Sequence, residues 1–168
     1  MTGADAVLCG FADFYMPSES LPALLAALES AGSGAADVVA AFAVEPPAAP
    51  LAVEQDWIDE CYAGGDVAAI LAKLDRHPAP AARDAAQAIR QMAPFSLYVA
   101  LAALRAAARE PALARVLQRD LVMAERMIGR PDFREGVRAR LLDRNQPQWN
   151  PARLDGVDPR DVAWTLAL

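Results

Sequence analysis

A chain of 168 residues suits one domain, or a domain with an arm. Hydrophobic residues make up 55%, many of them alanine, while aromatics are only 7%. That composition packs helices closely and argues against a sandwich of sheets. The net charge of −6 repels nucleic-acid phosphate and anionic lipid, which excludes general binding to either.

In chain order, "GFADFYMP" (residues 10–17) reads as one short strand near residues 10–16. Its aromatics favour strand, and glycine and proline bracket it. It has no partner strand, so it is either irregular or paired with a sheet outside the chain. "PSESLPALLAALESAG" predicts a helix capped by Ser18 or Ser20, with Leu21, Leu24, Leu25 and Leu28 as its stripe. "AADVVAAFA" is a weaker helix, and "VEPPAAPLA" (44–52) is a proline-rich linker. This divides the chain into a segment 1–43, the linker 44–52 and a helical domain 53–168.

The rest reads as helices. Asp66 caps "GDVAAILAKLDRH", whose apolar face is Val67, Ile70, Leu71 and Leu74. "ARDAAQAIRQMA" stops at Pro94, and the next helix carries Leu97, Leu101 and Leu104. "PALARVLQRDLVMAERMIG" predicts Leu113, Val116, Leu117 and Met123 turned inward. "VDPRDVAWTLAL" shows Asp158 as cap and Pro159 at the first helical position. The cysteines Cys9 and Cys61 read as buried reduced thiols, and His77 as a solvated loop residue. No apolar run spans a bilayer and the N-terminus lacks a signal pattern, so the expected location is cytoplasmic.

"DFREGVRARLLDRNQPQWNP" (132–151) opens like a helix and closes in a segment that cannot be one. Asp132 and Glu135 have capping-box spacing. On a helical wheel Phe133, Val137 and Leu141 form one stripe, Arg134 and Arg138 fall off it into solvent, and Arg140 and Arg144 land on its flank. Two readings of that flank stay open. The stems cover apolar surface with the heads in water, or the edge faces an anionic ligand or a partner subunit. Gly136 permits close approach of another backbone, and Trp149 reads as a packing plug. The sequence has no glycine-rich phosphate loop, no histidine–carboxylate pair, no nucleophile elbow and no metal-ligand cluster. No catalytic and no metal-binding residue is assigned.

The segment order resembles the C-terminal part of the crotonase superfamily, the enoyl-CoA hydratase/isomerase family, and within it the 3-hydroxyisobutyryl-CoA hydrolase branch. "GADAVLCGFADFYMPSESLPALLAAL", "WIDECYAGGDVAAILAKL" and "MAPFSLYVALAALR" carry the likeness along the chain. The Asp-Phe-x-Glu-Gly-Val-Arg-Ala run with its Pro-x-Trp-x-Pro ending is the most specific stretch. Ala93 stands where the family has serine and Arg144 where it has lysine, and the loop before Pro147 looks one residue short. The resemblance implies a mainly α chain, the C-terminal helical domain of a crotonase-like enzyme, with no complete sheet. It implies that the oxyanion amides and catalytic carboxylates lie on a spiral core outside this chain, which by itself is then inactive. It further implies an acyl-CoA substrate, with coenzyme A as part of that substrate and no tightly bound cofactor, and a homo-oligomer. Arg140 and Arg144 match positions that lie near the nucleotide of coenzyme A in hydratase relatives. A hydratase or isomerase domain is the alternative, and a stand-alone helical interaction module is the alternative of another class.

Overall fold

The computed structural model describes every residue from Met1 to Leu168 and contains ten α-helices and no β-strand. The helical reading holds, and the strand near residues 10–16 does not. Residues 10–17 form an irregular segment in which Gly10 takes a positive φ of 72°. Strand propensity in Phe11, Phe14 and Tyr15 yields no ladder without a neighbour to bond. The Tyr15 carbonyl instead accepts a single bond from the Val44 amide, at 2.9 Å.

The chain forms two compact units, Met1–Ile58 and Asp59–Leu168. The first holds α1 (Gly3–Leu8), α2 (Leu21–Glu29) and α3 (Ala35–Phe42). A capping box that sequence reading missed starts α1. Thr2 Oγ1 accepts from the Asp5 amide at 3.2 Å, and Asp5 accepts from the Thr2 amide at 2.7 Å. The other Asp5 oxygen accepts from the Leu51 amide at 2.9 Å and so pins the proline-rich segment to α1. These amides, Leu51 first, hold the buried Asp5 carboxyl below its ordinary range. Neither Ser18 nor Ser20 caps through its side chain, because a 3₁₀ turn over Ser18–Ser20 feeds directly into α2. Of the α2 stripe only Leu24 is buried.

Helix α4 (Gln55–Tyr62) leads into the second unit, which holds α5 (Val67–Arg76), α6 (Pro80–Arg90), α7 (Pro94–Arg109), α8 (Leu113–Ile128), α9 (Pro131–Val137) and α10 (Pro159–Leu166). Helix α5 follows its sequence pattern. Asp66 accepts from the Ala69 amide at 2.7 Å, and Val67, Ile70, Leu71 and Leu74 are all buried, largely against α6. Asp158 likewise caps α10 through the Arg160 amide at 2.8 Å.

Helices α7 and α8 turn other faces inward than their leucines suggest. The core of α7, α8 and α10 is Phe95, Val99 and Val162, with Tyr98, Ala102, Met123 and Met127 packed against it. Phe95, Val99 and Ala102 share one helical face, where the small alanine permits close approach. Leu104 lies on the opposite face and is exposed, and Leu97 and Leu101 are half-buried. On α8 the outward face is Leu113, Leu117, Leu121 and Ile128, with Leu113 72% exposed, while Arg119 is buried. Met123 is on the inner side as expected; Leu113 and Leu117 are not.

Arginines join these helices. Arg126 of α8 donates to the Ala167 carbonyl at 2.8 Å and to the Trp164 carbonyl, closing the C-terminal end of α10, and lies 4.3 Å over the Trp164 ring. Arg105 of α7 donates to the Gly64 and Gly65 carbonyls at 2.5 and 2.6 Å. Cys61 is buried, and burial first of all raises its thiol pKa; Cys9 is exposed, against expectation. His77 lies just past α5, as expected of a loop residue, but it is not solvated. It is half-buried, with Nδ1 accepting from the Ala79 amide at 3.2 Å and Nε2 3.8 Å from Glu60. No helix is long and apolar enough to cross a membrane.

Candidate functional site

The stretch 132–151 is helical to residue 142 and then turns sharply. Helix α9 passes without a break into a π-helical turn, Arg138–Leu142. The turn is closed by the Asp143 amide on the Arg138 carbonyl at 2.8 Å and the Asn145 amide on the Ala139 carbonyl at 2.9 Å. Arg144, between those two donors, has a φ of 50°. Helix ends close this way, but the left-handed residue is ordinarily glycine. For arginine that conformation costs about 1–2 kcal/mol.

Arg140 and Arg144 are both exposed and line one shallow cavity of about 410 Å³ with Ala139, Asn145 and Gln146. Neither guanidinium has a carboxylate or carbonyl partner, in contrast to Arg90, Arg119, Arg138, Arg153 and Arg160, which are ion-paired. The two come to line one cavity by another route than the regular wheel predicts. The π turn and the left-handed residue fold the chain back over Ala139. The stripe they were to flank is not a core face either: Phe133 and Val137 are exposed, and Leu141 is 71% exposed.

The acidic residues of this stretch also depart from their local reading. The α9 cap position is Arg130, followed by Pro131, and no side chain caps it. Asp132 is buried and accepts from the Asn150 amide at 2.7 Å; Glu135 accepts from the Gln148 amide at 2.6 Å. The Pro-x-Trp-x-Pro segment is therefore fastened to α9 by two carboxylates. Arg138, expected in solvent, bonds both Glu135 oxygens at 2.8 and 2.7 Å and also reaches Asp143. The Arg138 bonds, and then the Gln148 amide, lower the Glu135 pKa to about 2. Trp149 packs over Gly136 and donates its indole N–H to the Gln91 carbonyl at 3.0 Å, so the partner at Gly136 is a ring rather than a backbone.

Other concavities also lie in the second unit, two of them beside the core helices. The larger, about 720 Å³, is formed by α5, α6, α7 and the 152–155 segment, with Tyr98 and Arg153 among its lining. A smaller one of about 230 Å³ is walled by Phe95, Met127, Phe133 and Trp149, with Arg130 and Asp132 at its edge. Arg130 lies 3.5 Å over the Phe95 ring, and Arg130 Nε and Asp132 Oδ2 are buried without partners. No three histidine, cysteine, aspartate or glutamate side chains converge as a metal site.

This chain belongs to the enoyl-CoA hydratase/isomerase family, whose model matches residues 1–166. Members of the family act on coenzyme A thioesters as hydrolases and hydratases. Among curated relatives, the mitochondrial 3-hydroxyisobutyryl-CoA hydrolase of Rattus norvegicus is 30% identical over 96% of this chain. Among solved structures, a carnitinyl-CoA dehydratase from Mycobacterium thermoresistibile matches 99% of the chain with a TM-score of 0.90 and 40% identity. An enoyl-CoA hydratase from Rhodobacter sphaeroides 2.4.1 matches the same share with a TM-score of 0.83 and 34% identity. The chain spans about half the length of these proteins, 44% of the hydrolase and 48% of each solved chain.

Proposed function

We propose that the chain is the C-terminal helical part of an acyl-CoA-processing enzyme, a thioesterase resembling the 3-hydroxyisobutyryl-CoA hydrolases, and that it supplies the wall on the nucleotide side of coenzyme A. The observation that carries this reading is the pair Arg140 and Arg144, two unpartnered guanidiniums on one cavity in a chain of net charge −6. Guanidinium groups bind phosphate in a two-pronged geometry and stack on purines, which suits the nucleotide end of coenzyme A. In such an enzyme backbone amides polarise the thioester carbonyl and a carboxylate activates water. In this reading that chemistry belongs to another part of the enzyme. The outward leucines of α8 support a role in contacts with that part or with other subunits.

A hydratase or isomerase is the second reading, favoured by the 40% identity to the carnitinyl-CoA dehydratase. A stand-alone helical interaction module would need the exposed apolar faces but not the two arginines. Purified chain mixed with 3-hydroxyisobutyryl-CoA or crotonyl-CoA should give no thiol release and no hydration; turnover above buffer refutes the division of labour. In the complete enzyme, Arg140→Ala with Arg144→Ala should raise KM for the CoA ester several-fold and leave kcat nearly unchanged, the pattern of lost uniform binding. The same factor with a pantetheine thioester, which lacks the nucleotide, refutes the assignment of these residues.

A further inference from the structure

Arg138 occupies a singular place in the turn that presents Arg140 and Arg144. Its guanidinium bonds both oxygens of Glu135 one turn back, and also Asp143, the residue before Arg144. Glu135 in turn holds the Gln148 amide at 2.6 Å. Arg138 thus ties the last turn of α9 to the entry of the left-handed residue, and Glu135 carries the tie on to the loop beyond it. Arg138 does not line the cavity that Arg140 and Arg144 share. It lines a separate concavity with Pro131, Arg134 and Gln148. Its hydrogen-bonding directions are already directed at carboxylates, so it has little left to offer a ligand. An arginine held in a conformation that favours glycine persists only where its surroundings over-determine it.

Resting on the nucleotide reading above, we infer that Arg138 is a positioning residue, holding the 138–144 turn in the shape that makes Arg140 and Arg144 converge on one phosphate group. Arg140 sits inside the π turn and Arg144 at its left-handed exit. If Asp143 is released, Arg144 is free to relax to a right-handed or extended backbone, which carries its guanidinium away from Arg140.

The test uses adenosine 3′,5′-bisphosphate as the probe, titrated by calorimetry at low salt into the 168-residue chain. Wild type is compared with R144G, R138Q and the R138Q/R144G double variant. The backbone carbon shifts of Arg144 are read by NMR without ligand. R144G and R138Q should each weaken binding several-fold, and the double variant should bind no more weakly than R144G, because Arg138 acts through Arg144. R138Q should also move the Arg144 shifts out of the left-handed range. Asp143→Asn, which weakens only one arm of the clamp, should show the same effects in smaller degree and serves where R138Q fails to fold. Losses that add in full, or Arg144 shifts and affinity that stay at wild-type values in R138Q and D143N, overturn the positioning role and leave the nucleotide reading standing. A wild type that fails to bind the probe, with shifts that still respond to R138Q, overturns the nucleotide reading and removes the purpose of the clamp.

Discussion

Replacing Arg144 by glycine isolates the strain that the turn stores. A left-handed arginine, φ 50° here, costs about 1–2 kcal/mol over a right-handed one, and glycine removes that cost. Glycine also gives the unfolded chain more freedom, which offsets about 0.5–1 kcal/mol. The net expectation is a gain of roughly 0.5–1 kcal/mol. For a domain of this size that is a rise in Tm of about 1–4 °C. The lost charge near a helix C-terminus must be separated from the backbone effect. Arg144→Ala supplies the control, because it loses the same charge and keeps the Cβ. Differential scanning calorimetry of the two variants should place R144G above R144A by the amount given. If R144G melts at or below R144A, the left-handed residue is not strained and the inference from strain to function fails.

The remaining expectations concern acid, core and surface. Glu135 titrates at about 2 in the folded chain against an ordinary 4.5, so its contribution is full above about pH 4.5 and is lost as pH falls toward 2. Tryptophan emission from Trp149 should change over that window, and Glu135→Gln should remove that pH-dependent component. Leu74 is fully buried, so Leu74→Ala should cost about 3 kcal/mol in urea unfolding, where a cost below 1 kcal/mol would contradict the packing of α5 on α6. The exposed Leu113, Leu117, Leu121 and Ile128 should make the chain self-associate, and Leu117→Glu with Leu121→Glu should reduce the mass seen by light scattering; a strict monomer at high concentration speaks against that patch.

Those features that rest on local rules were legible in the sequence. Asp66 and Asp158 cap where their spacing says, and the α5 face of Val67, Ile70, Leu71 and Leu74 is the buried one. Capping and 3.6-residue periodicity involve neighbours within one helix, so the sequence contains both partners. Asp132 and Glu135 also resembled a local cap, but their oxygens go to amides 18 and 13 residues away, and nothing in the spacing distinguishes the two cases. Asp5 reaches across 46 residues to Leu51 and gave no signal at all. The leucines of α7 and α8 misled because hydrophobicity alone does not say which face meets a neighbour: in α7 the face with Ala102 packs, and in α8 the methionines do. The pairing of Arg140 and Arg144 was found through a regular wheel, yet the structure produces it by a π turn and a left-handed residue. Nothing in the residue types announces that geometry, because Arg144 stands where a left-handed helix end ordinarily has glycine.

The most direct measurement is the affinity of the chain for coenzyme A against dephospho-coenzyme A, which differ only in the 3′-phosphate, by calorimetry at low salt. If Arg140 and Arg144 read the phosphate at the nucleotide end, coenzyme A binds more tightly. Exposed charge contacts of this kind contribute about 1 kcal/mol, a factor of roughly five that shrinks as salt is raised. The difference should vanish in the Arg140→Ala, Arg144→Ala variant. Equal affinity of wild type for the two ligands, or a preference that survives removal of both arginines, contradicts the account.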